Sequence, residues 1–279
     1  MLLIADSGST KTHWCIVNNG EIYKQIFTKG INPFYQSESE IRSEIESFLL
    51  PELKNEFISH ICFYGAGCSF ANKKAMVSNA LGHFFNHIPI EVDSDLLAAA
   101  RSLFGNSQGI ACILGTGSNS CYYDGSQIVE NISPLGFILG DEGSGAVLGK
   151  VLVADCLKNQ LSNNLRDKFL KQYDLTPSTI LEHVYKKTFP NRFLAQFTPF
   201  LSENIQDPAI FNIVYTGFCD FFRRNVMQYE MEGAKVRFIG SVGYYLKDIL
   251  LKAAADCGVY VDVVEQSPMA GLIKFHSNN

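Results

Sequence analysis

The layout of residues 2–29 returns at residues 109–132. In the first copy the apolar run "LLIA" leads into a polar loop, "DSGSTKT" (6–12), which passes into the strand-like "THWCIVNN". Asn18-Asn19-Gly20 supplies a hairpin turn into a third strand, "EIYKQIFTKG". In the second copy, "GIACILGTGSNSCYYDGSQIVENIS" holds an apolar strand, a loop of glycines and hydroxyls, a second strand, an Asp124-Gly125 turn and a third strand. Aligning Gly8-Ser9 with Gly117-Ser118 brings the two turns into correspondence, with a shorter second hairpin.

Each meander continues in the same way. After the first, "SESEIRSEIESFLL" predicts a helix: Ser37 and Glu40 stand at capping-box spacing, and Ile41, Ile45, Phe48 and Leu49 recur at near-helical intervals. "FISHICFYGAG" reads as a central strand, followed by a helical segment, the short strand "IPIEV" and the helix "SDLLAAARSLF". After the second meander comes a largely helical stretch over 141–230, then "KVRFIGS", a helix, "VYVDVV" and a last short helix after Pro268. The organisation expected is α/β, with one domain over 1–108 and a second over 109–267 that carries the helical insertion. The helix at about 268–279 is expected to pack back on the first domain.

A chain of 279 residues, 47% hydrophobic and 18% charged, can bury two cores of this kind. Its net charge of -5 and the absence of any Lys/Arg cluster exclude a phosphate-backbone binder. No apolar run reaches the length that spans a bilayer, and the first residues lack a basic leader region, so a cytoplasmic location is expected. The eight cysteines include no C-x-x-C pair and sit in apolar stretches, which reads as buried free thiols rather than disulfides or a zinc site. His83 and His87 have i, i+4 spacing but lack the glutamate of H-E-x-x-H.

The two polar loops carry the chemistry. Two corners of this kind facing one another across a cleft suit a ligand with several phosphates, because glycines permit close backbone approach and successive N–H groups bind anions. Gly8 would admit the phosphate, Ser9, Thr10 and Thr12 would donate to it, and Asp6 would organise a metal; Lys11 either contacts phosphate or faces solvent. Two familiar motifs are excluded. "GSTKT" has Thr10 where a P-loop needs glycine before Lys11, and "GAGCSF" has Phe70 at the third glycine position of the dinucleotide fingerprint.

Eight strings in order then carry a resemblance: "DSGSTKT", "GINP" (30–33), "GAGC" (65–68), "DSDLLAAA" (93–100), "ILGTGSNS" (113–120), "PLGFILGDEGSGAVLG" (134–149), "FIGSVG" (238–243) and "PMAGLI" (268–273). Together they resemble the N-acetylglucosamine kinase branch of the sugar kinase, actin and heat-shock ATPase superfamily, a branch that also groups with benzoyl-CoA reductase ATPase subunits and dehydratase activators. The resemblance implies two ribonuclease-H-like (actin-like ATPase) domains, each βββαβα, around a nucleotide and sugar cleft. It implies ATP and Mg²⁺ as cofactors, with ATP between the 6–12 loop and Gly115-Thr116-Gly117-Ser118, and with Gly240, Ser241, Val242 and Gly243 on the adenosine side. Asn32 and Asp141 correspond to sugar-hydroxyl contacts, Glu142 beside Asp141 would also accept from a sugar hydroxyl, and Gly67, Cys68 and Ser69 lie where the family binds near the sugar.

Asp95 corresponds to the family's catalytic carboxylate. Phosphoryl transfer needs a group to take the hydroxyl proton, and an aspartate at the mouth of a helix suits that role. From the residues alone Asp95 or Ser94 is equally an N-cap, and Asp93 is a second candidate base. The acceptor implied is the 6-hydroxyl of N-acetylglucosamine, with glucosamine and N-acetylmuramate as alternatives. An activator ATPase of an iron-sulfur enzyme and a nonenzymatic sugar sensor are the rival classes. The partner expected is a small amino sugar, with no nucleic acid and no membrane, and a homodimer is compatible with the chain.

Overall fold

Apolar residues crowd the inner strands of both repeats, and in a computed structural model those strands lie at the centre of two separate sheets. The structure describes residues 1–279 apart from Ser9, Asn55, Met231, Glu232, Asn278 and Asn279. The chain divides into two compact units, one of residues 1–107, 124–128 and 267–279, the other of residues 108–123 and 129–266.

In the first unit, β1 (Leu2–Ser7), β2 (Lys11–Asn18), β3 (Glu21–Lys29), β4 (His60–Gly65) and β5 (Ile90–Ser94) form a sheet in the order β3-β2-β1-β4-β5. β1 runs antiparallel to β2 and parallel to β4, which runs parallel to β5. Parallel neighbours need crossovers, and the helices supply them. α1 (Glu38–Glu44) leads into β4, α2 (Ala71–Gly82) joins β4 to β5, and α3 (Asp95–Phe104) follows β5.

The capping box at Ser37 and Glu40 forms as the spacing predicts. The helix expected beyond it does not run to residue 50: it loosens into a π turn at Ile45–Leu49 and a 3-10 turn at Leu50–Leu53. Pro51 explains the change, since it has no N–H to continue the ladder. Ile41, Ile45 and Leu49 are buried as expected, whereas Phe48 is exposed. α2 ends at Gly82, so His83 and His87 do not share a helix face.

The second unit repeats the sheet strand for strand. β6 (Gly109–Leu114), β7 (Ser118–Tyr123) and β8 (Ile128–Ile132) make the meander, and the order is β8-β7-β6-β9-β10 once β9 (Val236–Ile239) and β10 (Val261–Glu265) are added. Between β8 and β9 lie α4 (Gly136–Leu139), α5 (Gly145–Leu157), α6 (Asn163–Gln172), α7 (Pro177–Tyr185), α8 (Pro190–Ala195), α9 (Thr198–Glu203) and α10 (Pro208–Arg224). α11 (Ser241–Tyr245) and α12 (Lys247–Asp256) join β9 to β10. Among the described residues, no helix is long and apolar enough to cross a membrane.

Each unit carries its own core. Leu3, Trp14, Ile16, Ile61 and Phe63 are buried in the first, and Phe169, Phe200, Phe218, Phe221, Phe222 and Phe238 in the second. α13 (Met269–Ser277) belongs to the first unit, where Met269, Leu272 and Ile273 pack with Ile4, Cys15, Cys62, Tyr64 and Ala98.

Candidate active site

The candidate residues fall into two sets, one in each unit. In the first unit they cluster at the C-terminal ends of β1, β4 and β5. Asp6 lies near the end of β1, and Asp95 opens α3 directly after β5. Ser94, not Asp95, is the N-cap: its hydroxyl accepts the Leu97 N–H at 3.2 Å. Asp95 is therefore released from capping.

Burial pushes the Asp95 carboxyl up to about 6, while the N–H of Leu96 at the helix start pulls it back. Burial also raises Asp6 to about 7; repulsion from Asp95 adds to the rise and Lys11 opposes it. Two half-buried carboxylates that repel one another attract a cation. Asp93, the other candidate base, is ion-paired to Lys74.

Asn32 is buried, and its Oδ1 accepts the Phe34 N–H at 3.0 Å. Gly67 sits against it with φ +83; a Cβ there would meet Phe34 Cδ2 at 2.9 Å and run into Asn32 Oδ1. Only glycine takes that conformation beside that side chain without strain. Cys68 is buried, and burial followed by repulsion from Asp95 pushes its thiol up to about 12. Asn32 and Gly67 thus meet directly, and the electrostatics link Cys68, Asp95 and Asp6.

The first polar corner is closed by a Gly8 N–H bond to the Lys11 carbonyl at 3.0 Å. A Cβ on Gly8 would meet only that carbonyl, at 3.8 Å, so no protein packing calls for glycine here. Thr10 is exposed and its carbonyl accepts the Gly30 N–H at 3.0 Å; Ser9 lies outside the described residues. Thr12 departs from expectation. It is fully buried, and its hydroxyl donates to the Lys29 carbonyl at 3.0 Å and lies 2.7 Å from Ser7 Oγ, so it knits the corner to β3 instead of offering a donor to a ligand. Lys11 is exposed, its ammonium 5.5 Å from the centre of the Phe27 ring.

In the second unit the corner is closed by Gly115 N–H to the Gly117 carbonyl at 3.0 Å. Gly8 thus corresponds to Gly115, and Thr12 to Ser118, each being the first residue of its strand to pair with the strand before it. The sequence alignment of Gly8-Ser9 with Gly117-Ser118 is out of step because the second corner is one residue shorter.

The Gly115 and Thr116 carbonyls accept N–H groups of Gly145 and Ala146 at 2.8 and 3.0 Å, fixing the corner on the start of α5. Asp141 Oδ1 accepts the Ser118 N–H at 3.2 Å. Burial raises the Asp141 carboxyl to about 6, with that N–H opposing the rise. Its neighbour Glu142, which the motif offers as a second sugar acceptor, is instead ion-paired to Arg224 at 2.9 Å and accepts from Asn225.

Gly240, with φ +124, donates its N–H to Glu265 and presses on the backbone of Leu114, where any Cβ would collide. Val242 and Gly243 are buried, and Ser241 is exposed at the start of α11. The loop at 240–243 is thereby held beside the residue that precedes Gly115.

Structure comparison places the chain among known proteins. A protein from Porphyromonas gingivalis, named a "putative N-acetylglucosamine kinase", matches with a TM-score of 0.98 and 48% identity over 100% of this chain and 99% of that one. The chain belongs to the N-acetylglucosamine kinase family. A second protein so named, from Chromobacterium violaceum, shares the fold with a TM-score of 0.74 and 18% identity over 98% of each chain. The activator of 2-hydroxyisocaproyl-CoA dehydratase from Clostridium difficile, with bound ADPNP, matches with a TM-score of 0.50 and 13% identity over 99% of this chain and 93% of that one. No family model and no curated protein matches the chain. The two sheets are ribonuclease-H-like units of the actin-like ATPase fold, as the N-acetylglucosamine kinase resemblance implies.

Residues outside the motifs also shape the first set. Lys73 donates to the Pro33 carbonyl at 2.6 Å and its ammonium lies 5.1 Å from the centre of the Phe34 ring, bracing the turn that presents Asn32. No local pattern marks Lys73, because its partner lies 40 residues earlier.

Proposed function

We propose that the chain is an ATP-dependent amino-sugar kinase that transfers the γ-phosphate to the 6-hydroxyl of N-acetylglucosamine. The observation that carries this reading is the half-buried Asp95 carboxyl, freed from capping by Ser94 and grouped with Asn32, Gly67 and Cys68 in the first unit. A carboxylate with a pKa of about 6 is ionised at neutral pH and basic enough to take a hydroxyl proton as the transfer proceeds. The hydroxyl oxygen then bonds the γ-phosphorus, the bridging bond to the β-phosphate breaks, and ADP leaves.

Asn32 binds a sugar hydroxyl, and Gly67 and Cys68 border the sugar with a small, largely apolar surface. In the second unit, Asp141 holds the Ser118 amide with one oxygen and offers the other to a sugar hydroxyl. Gly8, Ser9, Thr10 and Lys11 on one corner, and Gly115, Thr116, Gly117 and Ser118 on the other, bind phosphate oxygens. Thr12 supports the first corner from beneath. Gly240, Ser241 and Gly243 take the adenosine side.

The half-buried, mutually repelling Asp6 and Asp95 fit a divalent cation near Asp6. Bound Mg²⁺ would offset charge on the phosphates; Asp6 would hold it, directly or through water. The 48% identity to the Porphyromonas protein supports the choice of acceptor.

The test is ADP release from the purified chain with Mg-ATP and a panel of N-acetylglucosamine, glucosamine, N-acetylmuramate and plain hexoses, with the product's phosphate located by NMR. Stimulation by N-acetylglucosamine and phosphate on the 6-oxygen is the expected result. Stimulation by another amino sugar would reassign the acceptor, and a flat response across the panel would reject the kinase reading.

A further inference from the structure

At the other end of the first unit's sheet, a second cluster is built from three elements. His60 and Cys62 alternate on β4 and so share a face. Glu91 on β5 is the register partner of Cys62, and His276 comes from α13. The ligand atoms of His60, Cys62 and Glu91 all lie within 4.8 Å of one another. His60 Nε2 is 3.1 Å from Glu91 Oε1 and 3.7 Å from Cys62 Sγ. His276 Nδ1 is also 3.7 Å from Cys62 Sγ.

A tetrahedral zinc ion, with bonds of about 2.3 Å to sulfur and about 2.0–2.1 Å to nitrogen or oxygen, would set sulfur and nitrogen about 3.6 Å apart. It would set nitrogen and oxygen about 3.3 Å apart. The His60–Cys62 and His60–Glu91 separations match these two edges, and His276 lies outside the converging group.

His276 stands behind the thiol, and its Nε2 is 2.9 Å from Tyr64 Oη, which accepts from Arg101 at 2.7 Å. We propose that His60, Cys62 and Glu91 bind one divalent transition-metal ion of the zinc class, which staples β4 to β5, with water completing the tetrahedron.

The donor set of one thiolate, one imidazole and one carboxylate suits Zn²⁺ or Co²⁺ and not Mg²⁺. On coordination the Cys62 S–H bond breaks and its proton passes to solvent as the metal–sulfur bond forms. The cluster is separate from the phosphate and sugar residues: His60 opens β4, whereas Gly65, at the start of the "GAGC" loop, closes it. The inference is independent of the kinase reading.

The experiment uses the full chain. Zn²⁺ is titrated against a chelating dye, and Co²⁺ is followed by absorbance. The expected result is one equivalent bound, with the visible bands of tetrahedral cobalt and a thiolate-to-cobalt charge-transfer band. Cys62→Ser abolishes the charge-transfer band and weakens Zn²⁺ binding by at least ~100-fold. The half-exposed His60→Gln and exposed Glu91→Gln, which should fold whatever becomes of Cys62→Ser, each weaken it by at least ~10-fold. Cys257→Ser, in the other unit, leaves both readouts unchanged. Absence of stoichiometric binding overturns the proposal, as does cobalt binding without the thiolate band or binding insensitive to both His60→Gln and Glu91→Gln.

Discussion

Asp95 combines a half-buried carboxyl with a place at the first turn of a helix, and the two act on its proton in opposite directions. Asp95→Asn keeps the shape and removes the basicity, so turnover should fall by about 10² to 10⁴ with sugar binding retained. Near-normal turnover in a coupled ADP assay would remove Asp95 from the mechanism. Asp141 gives a stability prediction. Its carboxyl is raised from 3.8 to about 6, so between those values the folded chain binds more proton than the unfolded one. Stability from this group is present at low pH and declines as pH rises through about 6. Asp141→Asn should flatten that part of a urea-unfolding series against pH, and an unchanged slope would contradict the assignment. At this scale the motif residues were legible as types in order, whereas their partners were not. Glu142 reads as a sugar ligand in its string, yet it is held by Arg224 and Asn225, and the latter bond spans 83 positions.

Ser94 shows how an element carries a residue into place. Its hydroxyl caps α3, and Ser94→Ala should cost about 1 kcal/mol of stability. Turnover should drop with it, because the cap fixes the turn that presents Asp95. A variant with unaltered thermal midpoint would show that the cap bond is not formed in solution. The strands were legible because their apolar runs are bounded by loops and turns, and the capping box was legible because it is local. The helices described between β8 and β9 were readable only as a helical stretch. Several are short and end on aromatic contacts such as Phe169 with Phe197 and Phe200, at centroid distances of 5.0 and 5.1 Å, which no local period announces. The mismatch between the two corners had a similar origin: only the strand pairing reveals that one has a residue fewer.

Across the whole molecule the repeat was the most legible property, since both sheets have the same strand order. The cores of the two units share no residue. Phe63→Ala in one and Phe200→Ala in the other should each cost roughly 3–5 kcal/mol. Calorimetry should show each substitution lowering a different part of the unfolding transition; equal shifts of one common transition would mean the two cores melt together. The cluster of His60, Cys62 and Glu91 stayed invisible in the sequence because Glu91 meets the other two only through the pairing of β5 with β4. The late place of α13 in the chain also bears on synthesis. A ribosome delivers β1 through α3 long before α13, a gap of roughly 10 to 30 seconds at ordinary elongation rates. Throughout it, Ile4, Cys15, Cys62 and Tyr64 lack the helix that covers them. The half of the protein that is made first is therefore finished last, and until then its apolar face is available to a chaperone.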